Sequence, residues 1–466
     1  MFGGLIVFML IGYPVAFSLA AVGLFFGFIG IELGYFQMSL LQALPDRVFG
    51  ILSNDLLLAI PFFTFMGAIL ERCGLAEDLL EGMGQLFGPV RGGLAYSVIA
   101  VGAILGATTG TVAASVIAMG LISLPVMMRY GYNMRIATGV IAASGTIAQL
   151  IPPALVLIVL ADQLGLSVGD LYAGAIGPSI VQVLLFALFI FLVSLFRPEY
   201  VPALPAAART LRGWPLARKI LWGVVPSLVL IFLVLGTILL GIATPTEGGA
   251  MGAVGALALA VAQRRLTRAL LWQGMGSTMR ITAMVIFILI GATVFGLVFR
   301  GMDGDLWVEH MLTSLPGGQM GFLLAVNLFI FVLAFFLDFF EIAFIVIPLL
   351  APVAAKLGID LVWFGVLIGA NLQTSFMHPP FGFALFYLRG VAPKEVRSSD
   401  IYWGAVPWVV MQLILVAIII FWPGLVTDFI PKSAPVEPTR IEIPADQPGD
   451  AAPDSAAEIE RLLKQR

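Results

Sequence analysis

Two stretches decide the fold: IAASGTIAQLIPPALVLIVLAD at 141–162 and IGANLQTSFMHPPFGFALFYLR at 368–389. Each is an apolar run interrupted by a Pro-Pro pair, Pro152-Pro153 in the first and Pro379-Pro380 in the second, 227 residues apart. Without a gap, Pro125-Val126, Gly131, Ile141, Ala143, Pro152 and Pro153 fall on Pro352-Val353, Gly358, Ile368, Ala370, Pro379 and Pro380, seven matches in 29 positions. The matching residues are the ones that punctuate a chain, so the two segments are in phase. Proline inside a helix removes a donor and clashes with the carbonyl one turn back. In a bilayer the freed backbone groups must find partners inside the protein. Interrupted hydrophobic segments at corresponding places in two halves therefore point to a transporter's binding site.

The rest of the chain agrees. Sixty per cent of residues are hydrophobic and 11% are charged, with a mean hydropathy of +1.06. Soluble domains carry about 25% charged residues, so the composition specifies a polytopic helical membrane protein. The runs are continuous rather than alternating, which excludes a β-barrel. Cys73 is the one cysteine and His310 and His378 are the only histidines, so disulfide frameworks, thiolate metal centres and haem sites are excluded. No Walker A, GxSxG or HExxH motif occurs, so the chain is read as no enzyme and hydrolyses no ATP. The N-terminus has no basic region ahead of its first apolar run, and no cleavable signal peptide is expected.

Apolar spans read at 4–30, 52–71, 93–128, 134–163, 171–196, 220–242, 244–263, 279–300, 319–355, 362–389 and 399–424. Two of them, 93–128 and 319–355, are too long for one crossing and carry polar or glycine residues at mid-length, GATTGTVAAS at 106–115 and LDFFE at 337–341. They predict re-entrant hairpins, each followed directly by a broken helix. The expected architecture is an all-α inverted repeat: first-half scaffold helices over 1–92, a first transport unit of hairpin plus broken helix over 93–170, scaffold helices over 171–300, a second transport unit over 301–398, a last scaffold helix over 399–431, and a disordered tail over 432–466 with a short helix at 455–465. The stretch 4–30 reads as one helix kinked at Gly12-Tyr13-Pro14, or as a chain whose start codon lies upstream. The linker 197–219 holds Arg197, Arg209, Arg212, Arg218 and Lys219, which the positive-inside rule assigns to the cytoplasm.

The candidate binding residues lie at the breaks and the hairpin tips. A half-helix ending near Ala143 or Ala370 presents unpaired carbonyls suited to a cation, and one starting at Pro153 or Pro380 presents N–H groups suited to an anion. Around the breaks stand Ser144, Thr146 and Gln149, and Asn371, Gln373, Thr374 and Ser375. Oxygen donors without thiolate or imidazole suit a hard ion such as Na⁺. Thr108, Thr109, Gly110 and Thr111 occupy the first tip, and the same 227-residue offset sets Asp338 against Thr111. Asp338 and Glu341 can bind a coupling cation, carry a proton, or pair with a base such as Arg300. Glu247 reads as a helix N-terminal partner, and His378 as a proton carrier or a structural residue.

Taken together, GYPVAFSLA at 12–20, GATTGTVAAS, RYGYNMRIATGVIAASGT at 129–146, QLIPP at 149–153, IATPTEGGAMGAV at 242–254 and ANLQTSFMHPPFG at 370–382 resemble the large membrane subunit of tripartite ATP-independent periplasmic (TRAP) transporters. The resemblance covers the chain to about residue 425. It implies an elevator-type carrier of the bacterial inner membrane, driven by Na⁺ and using no other cofactor. The implied partners are a separate small four-helix membrane subunit, a periplasmic protein that delivers a small organic acid, and the lipid bilayer, with no nucleic acid. The family's first-tip motif falls on Thr109, Gly110 and Thr111, and its sodium-facing break on Ser144 to Pro153. The implied Na⁺ ligands are Thr109, Ser144, Ala148 and Ile151 in the first half, with Asn371 and Thr374 in the second. Where the family commonly has Gly-Pro before the Pro-Pro run, this chain has Ala148-Gln149. A stand-alone proton- or sodium-coupled carrier or antiporter of the same fold is the alternative.

Overall fold

With no water to satisfy a bare backbone, a chain this apolar must place its peptide groups in helices. All regular structure among the described residues is helical. The structure is a computed structural model describing residues 1–109, 112–379 and 382–430. The expected tail over 432–466 lies outside the described residues. Among the described residues six helices are long and apolar enough to cross a bilayer. The number rises to eight when Ser39–Leu52 with Asp55–Arg72 (bent 48°) and Phe339–Ile345 with Ile347–Lys356 (bent 53°) each count as one span. The chain is a multi-pass membrane protein.

The repeat is visible in the helix boundaries. The first broken helix runs Met134–Thr146, tightens into a 3-10 turn at Ile147–Gln149 and resumes at Leu155–Leu164. The second runs Leu361–Leu372, tightens at Gln373–Phe376 and resumes at Phe383–Val391. Adding 227 to the first set gives 361–373 and 382–391, within one residue of the second. The prolines fall within the breaks, but the first half-helices run past Ala143 and Ala370 to Thr146 and Leu372, Ala143 O is occupied by the Thr146 hydroxyl, and the chain resumes at Leu155 and Phe383 rather than at Pro153 and Pro380. The first hairpin pairs Gly93–Thr109 with Val112–Arg129, and the corresponding stretch of the second half runs Gly318–Leu333, Phe339–Ile345 and Ile347–Lys356, with Gly318–Leu333 packed on Leu361–Leu372.

The first span differs from a single kinked helix. Phe2–Ile11 ends at Gly12, whose positive φ of 99° turns the chain, and Pro14 precedes Val15–Glu32. Gly4 then lies against Val22 and Phe26, so the two helices are antiparallel. A left-handed glycine reverses the chain where a proline alone would only bend it.

Two packing groups emerge. In the outer group Val15–Glu32 lies along Arg268–Gly301, and Pro245–Ala262 along Ala59–Arg72. In the inner group the long helix Ser398–Phe421 packs on Met134–Thr146, and Val168–Phe196 packs on Leu361–Leu372. Each long helix thus meets the broken helix of the other half. The linker binds the base of the first hairpin: Gly92 N–H donates to Val201 O (2.8 Å), Leu204 N–H to Gly88 O (2.9 Å) and Asn133 N–H to Tyr200 O (3.0 Å). That face also carries Arg91, Arg129, Arg135, Arg264, Arg265 and Arg268. Away from the linker, Asn54 Nδ2 donates to Asp162 (2.7 Å), and the turns flanking the helices there carry Asp46, Asp55, Asp170, Asp303, Asp305 and Asp360 beside Arg47, Arg300 and Lys356.

Candidate ion and substrate site

The first site begins with two glycines. On the first limb of the first hairpin, Gly102 and Gly106 let that helix touch the broken helix backbone to backbone. A Cβ at Gly102 would lie 2.7 Å from both Ser144 Cβ and Ser144 O, and one at Gly106 would lie 2.8 Å from Ala148 Cα. No larger residue fits this approach. Ser144 is fully buried, and its Oγ has no hydrogen-bond partner. A buried hydroxyl without a partner costs about 1–3 kcal/mol. Thr146 is occupied differently: its hydroxyl donates to Ala143 O (2.8 Å) and accepts from Gln412 Nε2 (3.0 Å). Leu150 N–H donates to Ile147 O (3.0 Å), which tightens the turn, Ile151 N–H shares that carbonyl (3.1 Å), and Pro153 is buried and joined to Pro152 by a cis peptide bond.

The second site repeats this plan with different side chains. Asn371, one repeat length after Ser144, donates through Nδ2 to Asn327 O (2.8 Å) and Asn327 Oδ1 (3.0 Å) on the first limb of the second hairpin. Its own Oδ1 is buried and unpartnered. Gln373, one repeat length after Thr146, accepts from Gln182 Nε2 at 2.5 Å. Thr374 and Ser375 hydroxyls donate back to Asn371 O (2.8 Å) and Leu372 O (2.7 Å). His378 stacks on Phe335, with ring centroids 4.1 Å apart, and meets the edge of Phe331 at 4.5 Å. The ring clamps the break against the second hairpin and does not line the central cavity.

Both tips and both breaks converge on a cavity of about 150 Å³. Val112 and Ala113 come from the first hairpin, Gln149 and Leu155 from the first break, Asp338 to Phe340 from the second hairpin, and Phe376 and Phe383 from the second break. Ile281 and Met284 of the outer helix Arg268–Gly301 close it. Asp338 and Glu341 form a reciprocal capping box on Phe339–Ile345, with Glu341 N–H donating to Asp338 Oδ1 (3.0 Å) and Asp338 N–H to Glu341 Oε2 (3.0 Å). No ion pair joins either carboxylate to Arg300 or any other base among the described residues. Asp338 also faces a second cleft of about 180 Å³ with Glu341, Ser375 and Tyr13. Glu247 closes a capping box with Thr244, as an N-terminal partner should.

Gly110, Thr111 and Pro380 lie outside the described residues, as does the side chain of Thr109, the last residue of its helix. Sequence reading missed Gln182, Gln412 and Asn327. Their signal was available, since a buried amide inside an apolar helix needs a partner, and all three are buried.

The family described as "Tripartite ATP-independent periplasmic transporter, DctM component" matches residues 2–425. The C4-dicarboxylate TRAP transporter large permease protein DctM of Pseudomonas aeruginosa is 30% identical over 397 residues, covering 84% of this chain and 90% of that protein. The sialic acid TRAP transporter large permease protein SiaM of Vibrio cholerae is 28% identical over 415 residues, covering 88% and 93%. Among solved structures, the Alcanivorax borkumensis YdaH transporter superposes with a TM-score of 0.56 at 15% identity, covering 84% of this chain and 90% of that one, a likeness of fold. Its relatives are transporter permeases and not enzymes. With the helical architecture and the paired breaks already on the page, the match over residues 2–425 settles the class: the chain belongs to the large permease, or DctM, family of TRAP transporters.

Proposed function

We propose that this chain imports a small organic acid by Na⁺-coupled secondary transport, receiving it from a periplasmic binding protein and working with a small four-helix membrane subunit. The observation that carries the reading is the pair of buried oxygens, Ser144 Oγ and Asn371 Oδ1, each without a partner and one repeat length apart. Hard oxygen donors fit Na⁺. Ser144, Ala148 and Ile151, with Thr109, would hold one ion, and Asn371 with Thr374 a second. The half-helices Leu155–Leu164 and Phe383–Val391 start beside the cavity, and no side chain caps either one. Their N–H groups and positive dipole ends suit a carboxylate.

The inner packing group would move as one body. The crosswise bonds Gln182–Gln373 and Gln412–Thr146 tie each long helix, assigned from sequence to the scaffold, to the other half's break, so in this proposal the long helices leave the scaffold and slide with the hairpins and broken helices against the outer helices. Ile281 and Met284, which face the cavity from the outer group, offer an apolar surface for that sliding. The basic linker face would lie in the cytoplasm and the acidic face in the periplasm, with the protein in the inner membrane. The test is uptake by proteoliposomes containing the chain and its small subunit, with and without a Na⁺ gradient and the periplasmic protein. Uptake that needs both supports the proposal, and uptake indifferent to Na⁺ overturns it.

A further inference from the structure

The central cavity carries an acidic side chain and no basic one. Asp338 lines it, and neither Lys, Arg nor His lines this cavity or the neighbouring cleft that Asp338 shares with Glu341. Capping alone does not require the charge, because a neutral Asn caps a helix as well as Asp. An unpaired carboxylate at membrane depth is costly, so its presence calls for a positive complement. The walls supply a second feature. Phe340, Phe376, Phe383 and Tyr387 line the same cavity as Asp338, and aromatic faces attract cations. A third and independent feature is Gln149, which lines the same cavity, is 4% exposed, and has an Oε1 without a partner. An amide oxygen in that position accepts an N–H donor.

We propose that the substrate is an organic acid that also bears a positively charged nitrogen, its cationic end held by Asp338, Gln149 and the aromatic rings. This rests on the import reading above, in which the half-helix N-termini take the carboxylate. The volume of about 150 Å³ is that of a cavity that holds one benzene-sized group, so a nitrogen carrying a few methyl or methylene groups fits within it. A dianion would bring two negative charges to a site that already holds one.

The test uses an isosteric pair that differs in charge, with a dianion beside it. The purified complex of large and small subunits is titrated calorimetrically, in Na⁺, with N,N-dimethylglycine, with 3-methylbutanoate (carbon in place of the nitrogen) and with succinate. The expected result is that dimethylglycine binds about tenfold or more tightly than either anion. Asp338→Asn, which keeps the cap, should shrink that preference to below about twofold. Equal or weaker binding of dimethylglycine, a preference that survives Asp338→Asn, or binding of none of the three overturns the proposal. So does an Asp338→Asn variant that alters only the Na⁺ requirement, since the carboxylate would then serve the coupling ion. Na⁺-driven uptake of succinate with no preference for the cationic acid sinks this inference and leaves the import reading standing. Absence of Na⁺-driven uptake of any acid sinks the import reading itself.

Discussion

Replacing Gly102 by alanine tests whether the hairpin contact organises the first proposed ion site. The new methyl would lie 2.7 Å from Ser144 Cβ and O, against the 3.4 Å at which ordinary contact begins, so one backbone must retreat by roughly 0.7 Å. Overpacking of this kind costs about 1–3 kcal/mol, which a membrane domain of this size survives. The functional effect should be larger than the structural one. A displaced Ser144 no longer sits with the donors of the following turn, and disturbing the support of a metal ligand typically costs about 10–100-fold in affinity. The Na⁺ concentration for half-maximal uptake should therefore rise by about 10–100-fold, with maximal rate at saturating Na⁺ largely kept. Gly276→Ala serves as the control, because nothing lies within 4 Å of that position. Monodispersity and melting temperature of the purified variants separate misfolding from ion affinity. If Gly102→Ala is folded and its Na⁺ dependence matches the parent, the contact between hairpin and broken helix does not build the ion site, and the reasoning fails.

Three further predictions concern the surrounding architecture. Gln182→Leu strands Gln373 in a buried site and should destabilise by about 1–3 kcal/mol, while Gln182→Leu with Gln373→Leu together should cost less than the single change; thermal unfolding of the cycle decides it, and additive losses would show that the bond is not made. Single cysteines at Arg218 and Asp305, in a Cys73→Ser background, should be labelled by impermeant thiol reagents from opposite sides of the membrane, with Asp305 reached from outside; labelling from one side alone would overturn the two-faced arrangement. Leu94 N–H donates to the buried Tyr132 hydroxyl at 3.2 Å, and burial pushes this phenol from 10.0 up to about 12. A raised folded value means the contribution is complete below pH about 10 and is lost as pH rises toward 12, on the order of 2 kcal/mol in all. Tyr132→Phe should flatten that part of the melting-temperature profile, and an unchanged slope would refute the assignment.

Local chemistry fixed much of this protein before any coordinates. Pro152-Pro153 and Pro379-Pro380 dictate where two helices break, because a proline cannot supply the missing hydrogen bond and a bilayer offers no water to replace it. The polar LDFFE at 337–341 likewise marked the break between Gly318–Leu333 and Phe339–Ile345, since uncovered backbone is tolerated only where the protein can cover it. Asp338 was legible as a tip residue from the repeat offset alone. What periodicity could not carry was distance between segments far apart in sequence. Whether 4–30 bends or reverses depended on the backbone angle at Gly12 and on Gly4 meeting Val22. The crosswise pairing of Gln182 with Gln373 and of Gln412 with Thr146 is a property of two halves interlocked in space, invisible to a pattern read along one chain. Which oxygens at the breaks are already satisfied was decided in the same way. Ser144 and Thr146 are both hydroxyls on one helix, yet only the tertiary structure brings a glutamine to Thr146 and leaves Ser144 facing a glycine with its bond unmade.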